Sequence, residues 1–145
     1  MYITQALFSF KGRLNRQGFW IGSGLCAVVL FIIANILPVQ QWLQHTTTSL
    51  GAIIPLLLIV YCWLTIIIKR LHDRGRSAKA IIILFVPLCC VMIAPYSQGI
   101  MQSILGKFFP IFIVAMLLME WGVFLGQPTA NRYGEKGETI TFKKG

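Results

Sequence analysis

The string LGAIIPLLLIVYCWLTIII, Leu50–Ile68, runs straight into KRLHDRGRS, Lys69–Ser77. Nineteen uncharged residues give way to five cations within eleven positions, Lys69 to Lys79. An apolar run of about 20 residues at 1.5 Å per residue matches the ~30 Å hydrocarbon core of a bilayer. Working outward, the same contrast repeats. No Lys, Arg, Asp or Glu occurs from Gln17 to Ile68, and none from Ala80 to Gly106. The chain is 57% hydrophobic and only 12% charged, yet its 145 residues carry a net charge of +9. Soluble proteins hold roughly twice that charged fraction. The composition therefore excludes a soluble enzyme and a disordered basic tail.

The spacing predicts an all-α, four-span membrane bundle over residues 1–126, with spans at 19–37, 50–68, 79–94 and 108–126. A short polar tail, 127–145, follows. Pro38 closes the first span, while Pro55 and Pro87 fall inside the second and third, as bilayer helices tolerate. The first span is too long for a signal-peptide core and lacks a small-x-small site before Pro38, so it reads as a retained anchor. Ile3, Ala6, Leu7, Phe10 and Leu14 recur at helical spacing ahead of it, which predicts a short interfacial helix.

Charge sets the expected orientation. The N-terminal segment, the middle loop and the tail hold twelve Lys and Arg residues, whereas the outer segments hold only Lys107. The positive-inside rule then places both termini and the middle loop in the cytoplasm, with the protein in a bacterial inner membrane.

Three strings share that side: FKGRLNRQGFW at Phe10–Trp20, KRLHDRGRS at Lys69–Ser77 and ANRYG at Ala130–Gly134. In combination they resemble the bacterial membrane family catalogued as domain of unknown function 805, over nearly the whole chain. Phe10, Gly12, Arg13, Arg16, Phe19 and Trp20 match its first motif. Arg70, Leu71, His72, Asp73, Gly75 and Ser77 match the second, and Asn131, Arg132, Tyr133 and Gly134 the third. The chain departs from the pattern at Ser77-Ala78-Lys79, where serine–glycine–tryptophan is usual, and at Gly18, where an acid is common. The resemblance implies a small four-span inner-membrane protein and brings no activity with it.

Physical chemistry offers two readings of these motifs. Structurally, Lys69 and Arg70 suit the C-terminal end of a helix. Asp73-Arg74-Gly75-Arg76 suits a tight turn, and Ser77 suits a helix cap. Functionally, Arg13, Arg16, Arg70, Arg74, Arg76 and Arg132 would converge as an anion site, because the guanidinium fork matches phosphate. Anionic inner-leaflet lipid is then the expected partner, or a second membrane protein or second copy, and nucleic acid is not. His72 and Asp73, adjacent in sequence, point different ways on a helix and lack a nucleophile beside them, so no catalytic residue is assigned. Glu120, the only acid within a span, is expected to pair with a motif arginine. A proton or substrate relay through it is the alternative, with Asn35 and Thr65 the only nearby polar candidates. Glu120 completes a polar cluster with His72, Asp73, Asn131 and Tyr133. Cys26, Cys62, Cys89 and Cys90 lie in apolar runs without metal-ligand spacing, and no cofactor or metal is expected. Gly18 and Gly22 should allow a close helix approach.

Overall fold

A computed structural model describes residues 1–36 and 50–142. The expected end of the first span at Pro38 and the tail lysines Lys143 and Lys144 lie outside the described residues. Every regular element described is helical, and four of the helices are long and apolar enough to cross a membrane. The chain is a multi-pass membrane protein.

α1 spans Ile3–Phe8 and α2, the first span, Arg16–Ile36. α2 begins three residues before the expected start because Asn15 caps it, its side-chain oxygen accepting the Gly18 N–H at 2.8 Å. α3, Leu50–Asp73, is the second span and does not stop at Ile68. It runs on through Lys69–Asp73, since those polar side chains find partners inside the protein. Among the four spans the second is the most buried.

The third span, Ala78–Tyr96, enters as a 3-10 helix over Ala78–Leu84 and continues as α4, Phe85–Ile93. Ser77 stands at its N-cap, but its side chain makes no capping hydrogen bond, contrary to expectation. The fourth span, Ile100–Val123, starts eight residues before the predicted position and ends three before it. It consists of α5 (Ile100–Ser103), a π turn (Ile104–Phe108), α6 (Phe109–Leu118) and a second π turn (Met119–Val123). Lys107 therefore sits within this span, exposed, about two turns from its start, close enough for its long stem to reach the interface.

The first and second spans pack together, as do the third and fourth, and the Met119–Val123 turn closes the ring against α2 and α3. Gly22 does provide the close approach: a Cβ there would meet Ile66 of α3 at 2.9 Å. The outer faces are apolar and exposed, including Phe31, Ile54, Ile82 and Ile111, as lipid contact requires. Cys26 and Cys62 are buried, Cys89 is exposed and Cys90 half-buried, all four as free thiols.

Residues 127–142 have no core of their own. They lie along the N-terminal segment, with single parallel bridges pairing Tyr2 to Thr141 and Leu14 to Glu138. Ile140 is buried with Leu14, Phe19 and Ile66 in the common core.

Candidate functional site

All three motifs meet at one end of the bundle, and Asp73 is where they join. Its carboxylate receives Arg13 from the first motif at 3.1 Å and Arg70, one helical turn back on α3, at 2.5 Å. The three side chains are 1%, 0% and 4% exposed for Arg13, Arg70 and Asp73. A buried guanidinium is tolerable only when its remaining donors are also satisfied, and here they are. Arg13 donates to the carbonyls of Gln127, Thr129, Gly134 and Glu135 in the C-terminal segment. Arg70 donates to the carbonyls of Leu14, Trp121 and Phe124. Asp73 answers with its backbone, whose carbonyl accepts the Gln127 N–H at 2.8 Å.

The carboxylate sits in a slot walled by Gly126 and Gly137. A Cβ on either would collide with its oxygens. Gly75, at φ +73°, turns the chain immediately after Asp73, the left-handed conformation that glycine adopts without steric cost.

His72 points away from Asp73, as expected for neighbours on a helix. Its ring stacks on Tyr133 with centroids 3.8 Å apart and planes 6° from parallel, and Nδ1 lies 3.4 Å from the Gly12 carbonyl oxygen. The Arg132 guanidinium lies over the Tyr133 ring as well, 4.7 Å from its centroid. Asn131 fixes the turn that presents Tyr133: its side-chain oxygen accepts the Tyr133 N–H at 2.9 Å and its amide donates to the His72 carbonyl at 3.0 Å. Of the residues expected in one polar cluster, His72, Asn131 and Tyr133 are in contact, the Asp73 carboxylate turns into the arginine cage instead, and Glu120 pairs elsewhere.

Glu120, carried on the π turn, pairs with Arg74 at 3.1 Å and lies 3.5 Å from Arg76. Arg74 also donates to the Leu125 carbonyl and lies over the Phe124 ring. Neither polar candidate for a relay faces Glu120. Asn35 donates to the Phe31 carbonyl, and Thr65, with one hydroxyl proton to give, lies within hydrogen-bond reach of the Cys62, Ala6 and Leu7 carbonyls.

Two features escaped sequence reasoning. Tyr61, Thr65 and Lys69, four residues apart along α3, all donate to carbonyls at the end of α1. Tyr61 reaches Phe8, Thr65 reaches Ala6 and Leu7, and Lys69 reaches Gln5 and Ala6. This polar stripe on an apolar span was the available signal. At the end of the fourth span, Arg70, Arg74 and Trp20 likewise accept the task of satisfying carbonyls, those of Trp121, Phe124, Leu125 and Gly122.

The cations at this end therefore form two groups. Arg13, Lys69, Arg70 and Arg74 spend their donors on the protein itself. Lys11, Arg16, Arg76, Lys79, Arg132 and Lys136 are exposed. Of the six arginines expected to converge on an anion, Arg16, Arg76 and Arg132 are exposed, Arg13 and Arg70 are buried around Asp73, and Arg74 is half-buried against Glu120.

Comparison with known proteins gives a consistent picture. The sequence profile of the family described as "Protein of unknown function (DUF805)" matches residues 7–135. The chain is 34% identical over 149 residues to "Uncharacterized protein YiiR" of Escherichia coli (strain K12), covering 99% of this chain and 95% of that one. The protein of the same description from Escherichia coli O157:H7 matches equally. No solved structure matches.

Proposed function

This chain belongs to the DUF805 family, and from that premise we propose that it is a bacterial inner-membrane accessory protein whose basic end binds anionic lipid headgroups. Both termini and the Arg74–Lys79 turn face the cytoplasm in this reading. The observation that carries it is the segregation of charge. Every described Lys and Arg except Lys107 lies at the motif end, and after the buried pairs are made, six cations remain exposed there. Each such cation near an anionic leaflet contributes about 1 kcal/mol of attraction. The buried group explains why the motifs exist as a folded knot, and the exposed group gives that knot something to hold.

The test uses the full chain in nanodiscs of equal phosphatidylglycerol and phosphatidylcholine. Native mass spectrometry after detergent release should find phosphatidylglycerol enriched on the protein. The double change Arg16→Gln, Arg132→Gln should reduce that enrichment, since both residues are exposed and their loss leaves the Asp73 cage intact. Equal retention of the two lipids by the wild type would sink the reading. A reporter fused within residues 38–49 should be active only on the periplasmic side.

A further inference from the structure

We propose that the groove between the third and fourth spans is a binding site for one phospholipid molecule, with Arg76 holding the phosphate at its mouth and one of the two acyl chains lying along its floor. The proposal rests on the reading that the basic end meets an anionic leaflet, and it assigns one lipid to one place.

Three observations converge on it. First, the groove has a volume of about 750 Å³, of the size of established ligand pockets. Its polar residues, Arg76 and Glu120, stand at the motif end, and Ile83, Val86 and Met116 carry the apolar lining away from it towards the middle of the bundle. Charge at one end and hydrocarbon along the rest match the two parts of a phospholipid.

Second, both walls depart from the α-helix at this place. The third span runs as a 3-10 helix for seven residues, Ala78–Leu84, longer than such stretches usually persist. Residues three apart eclipse in that geometry, so Ala80 and Ile83 stand in one row on the groove wall. On the facing wall the fourth span loosens into the π turn Met119–Val123, which carries Glu120. π turns within α-helices are frequent at functional sites, and the 3-10 stretch tightens the entry of the third span beside this one. A pair of regular α-helices would need neither.

Third, the charges at the mouth are unbalanced in the direction the ligand needs. Glu120 is held by Arg74 at 3.1 Å, and Arg74 is further committed to the Leu125 carbonyl. Arg76 touches Glu120 only at 3.5 Å, and its side chain is 60% exposed. Two guanidiniums against one carboxylate leave a positive mouth, and the exposed one presents the planar fork that suits phosphate oxygens. Its position at the level where the third span enters the membrane is that of a lipid headgroup.

The proposal is tested in the same nanodiscs. Arg76→Gln should lower phosphatidylglycerol retention about fivefold, the loss of one cation near the headgroup. Ile83→Trp, which fills the groove and leaves every charge in place, should lower it to a similar extent. As a measurement independent of variant folding, wild-type protein is photolysed with phosphatidylglycerol bearing a diazirine on its acyl chain near the headgroup. Label concentrated at Ala80–Val86 and Met116–Phe124 supports the site. Label spread evenly over the outer faces of all four spans overturns it. If both variants retain lipid as the wild type does while Arg16→Gln with Arg132→Gln does not, the groove is wrong and the basic-end reading survives. If the wild type shows no preference for phosphatidylglycerol, that underlying reading fails as well.

Discussion

At the motif end of this protein, a group of charged side chains is buried in specific contacts, beside cations that stay exposed. At the far end of the third and fourth spans, side chains are apolar and mostly exposed. Arg13, Lys69, Arg70 and Asp73 are each 4% exposed or less, whereas Val91, Met92, Ile100 and Ile111 are 46% or more. The difference follows from the solvent. Lipid tails are as apolar as Leu, so burying one apolar side chain against another gains little between spans. Hydrogen bonds and ion pairs at the aqueous end are directional and costly to leave unmade. The bundle is therefore specified from one end, and its far half follows.

The sharpest way to break this comparison is to remove the buried anion. Asp73→Asn leaves Arg13 and Arg70 facing each other without a counter-charge, and should cost about 3–5 kcal/mol. Unfolding of the detergent-solubilised protein by a graded denaturant would measure it. Asp73→Glu should not rescue, because the slot between Gly126 and Gly137 has no room for another methylene. Next in size, Gly126→Ala places a methyl against the same carboxylate and should cost about 1–3 kcal/mol by overpacking. Lys69→Met keeps most of the apolar stem but takes the Lys69 donor from the Gln5 carbonyl and leaves Ala6 with Thr65 alone, at about 1–3 kcal/mol. Limited proteolysis should then cut first near α1.

Smaller effects sharpen the contrast. Glu120→Gln weakens a pair whose side chains are still about a quarter exposed, and should change stability by only about 1 kcal/mol, well below Asp73→Asn. An Asp73→Asn effect no larger than this would remove the distinction between the two ion pairs. On the far side, Phe112→Leu exchanges one lipid-facing apolar group for another, and thermal stability should move by no more than about 0.5 kcal/mol. A large loss there would show that the apolar half contributes specificity after all.

The spans themselves were legible because bilayer thickness imposes a length that hydropathy records directly. Their ends were not, since ends depend on partners. α3 continues past Ile68 because Lys69 and Arg70 find carbonyls from α1 and the fourth span, which lie far away in sequence. The fourth span begins early because Lys107 is tolerated inside it. Convergence of the three motifs was readable from their shared side, and so was the pairing of Glu120 with a motif arginine. That Arg13 and Asp73, sixty positions apart, would share a buried pair was not, because nothing local distinguishes a structural arginine from a ligand-binding one. The slot formed by Gly126 and Gly137 was equally hidden. Its glycines gain meaning only from the carboxylate between them.

The cage around Asp73 also has an order in time. Arg13 emerges early in synthesis and enters the membrane surface with α2, while the carbonyls that satisfy it, from Gln127 to Glu135, are made more than a hundred residues later. Until those residues arrive, a guanidinium waits beside the bilayer without its partners. Completion of the cage thus requires that the spans cross in strict alternation, because a span that failed to cross would leave Arg13 or Asp73 on the opposite side of the membrane from the C-terminal segment.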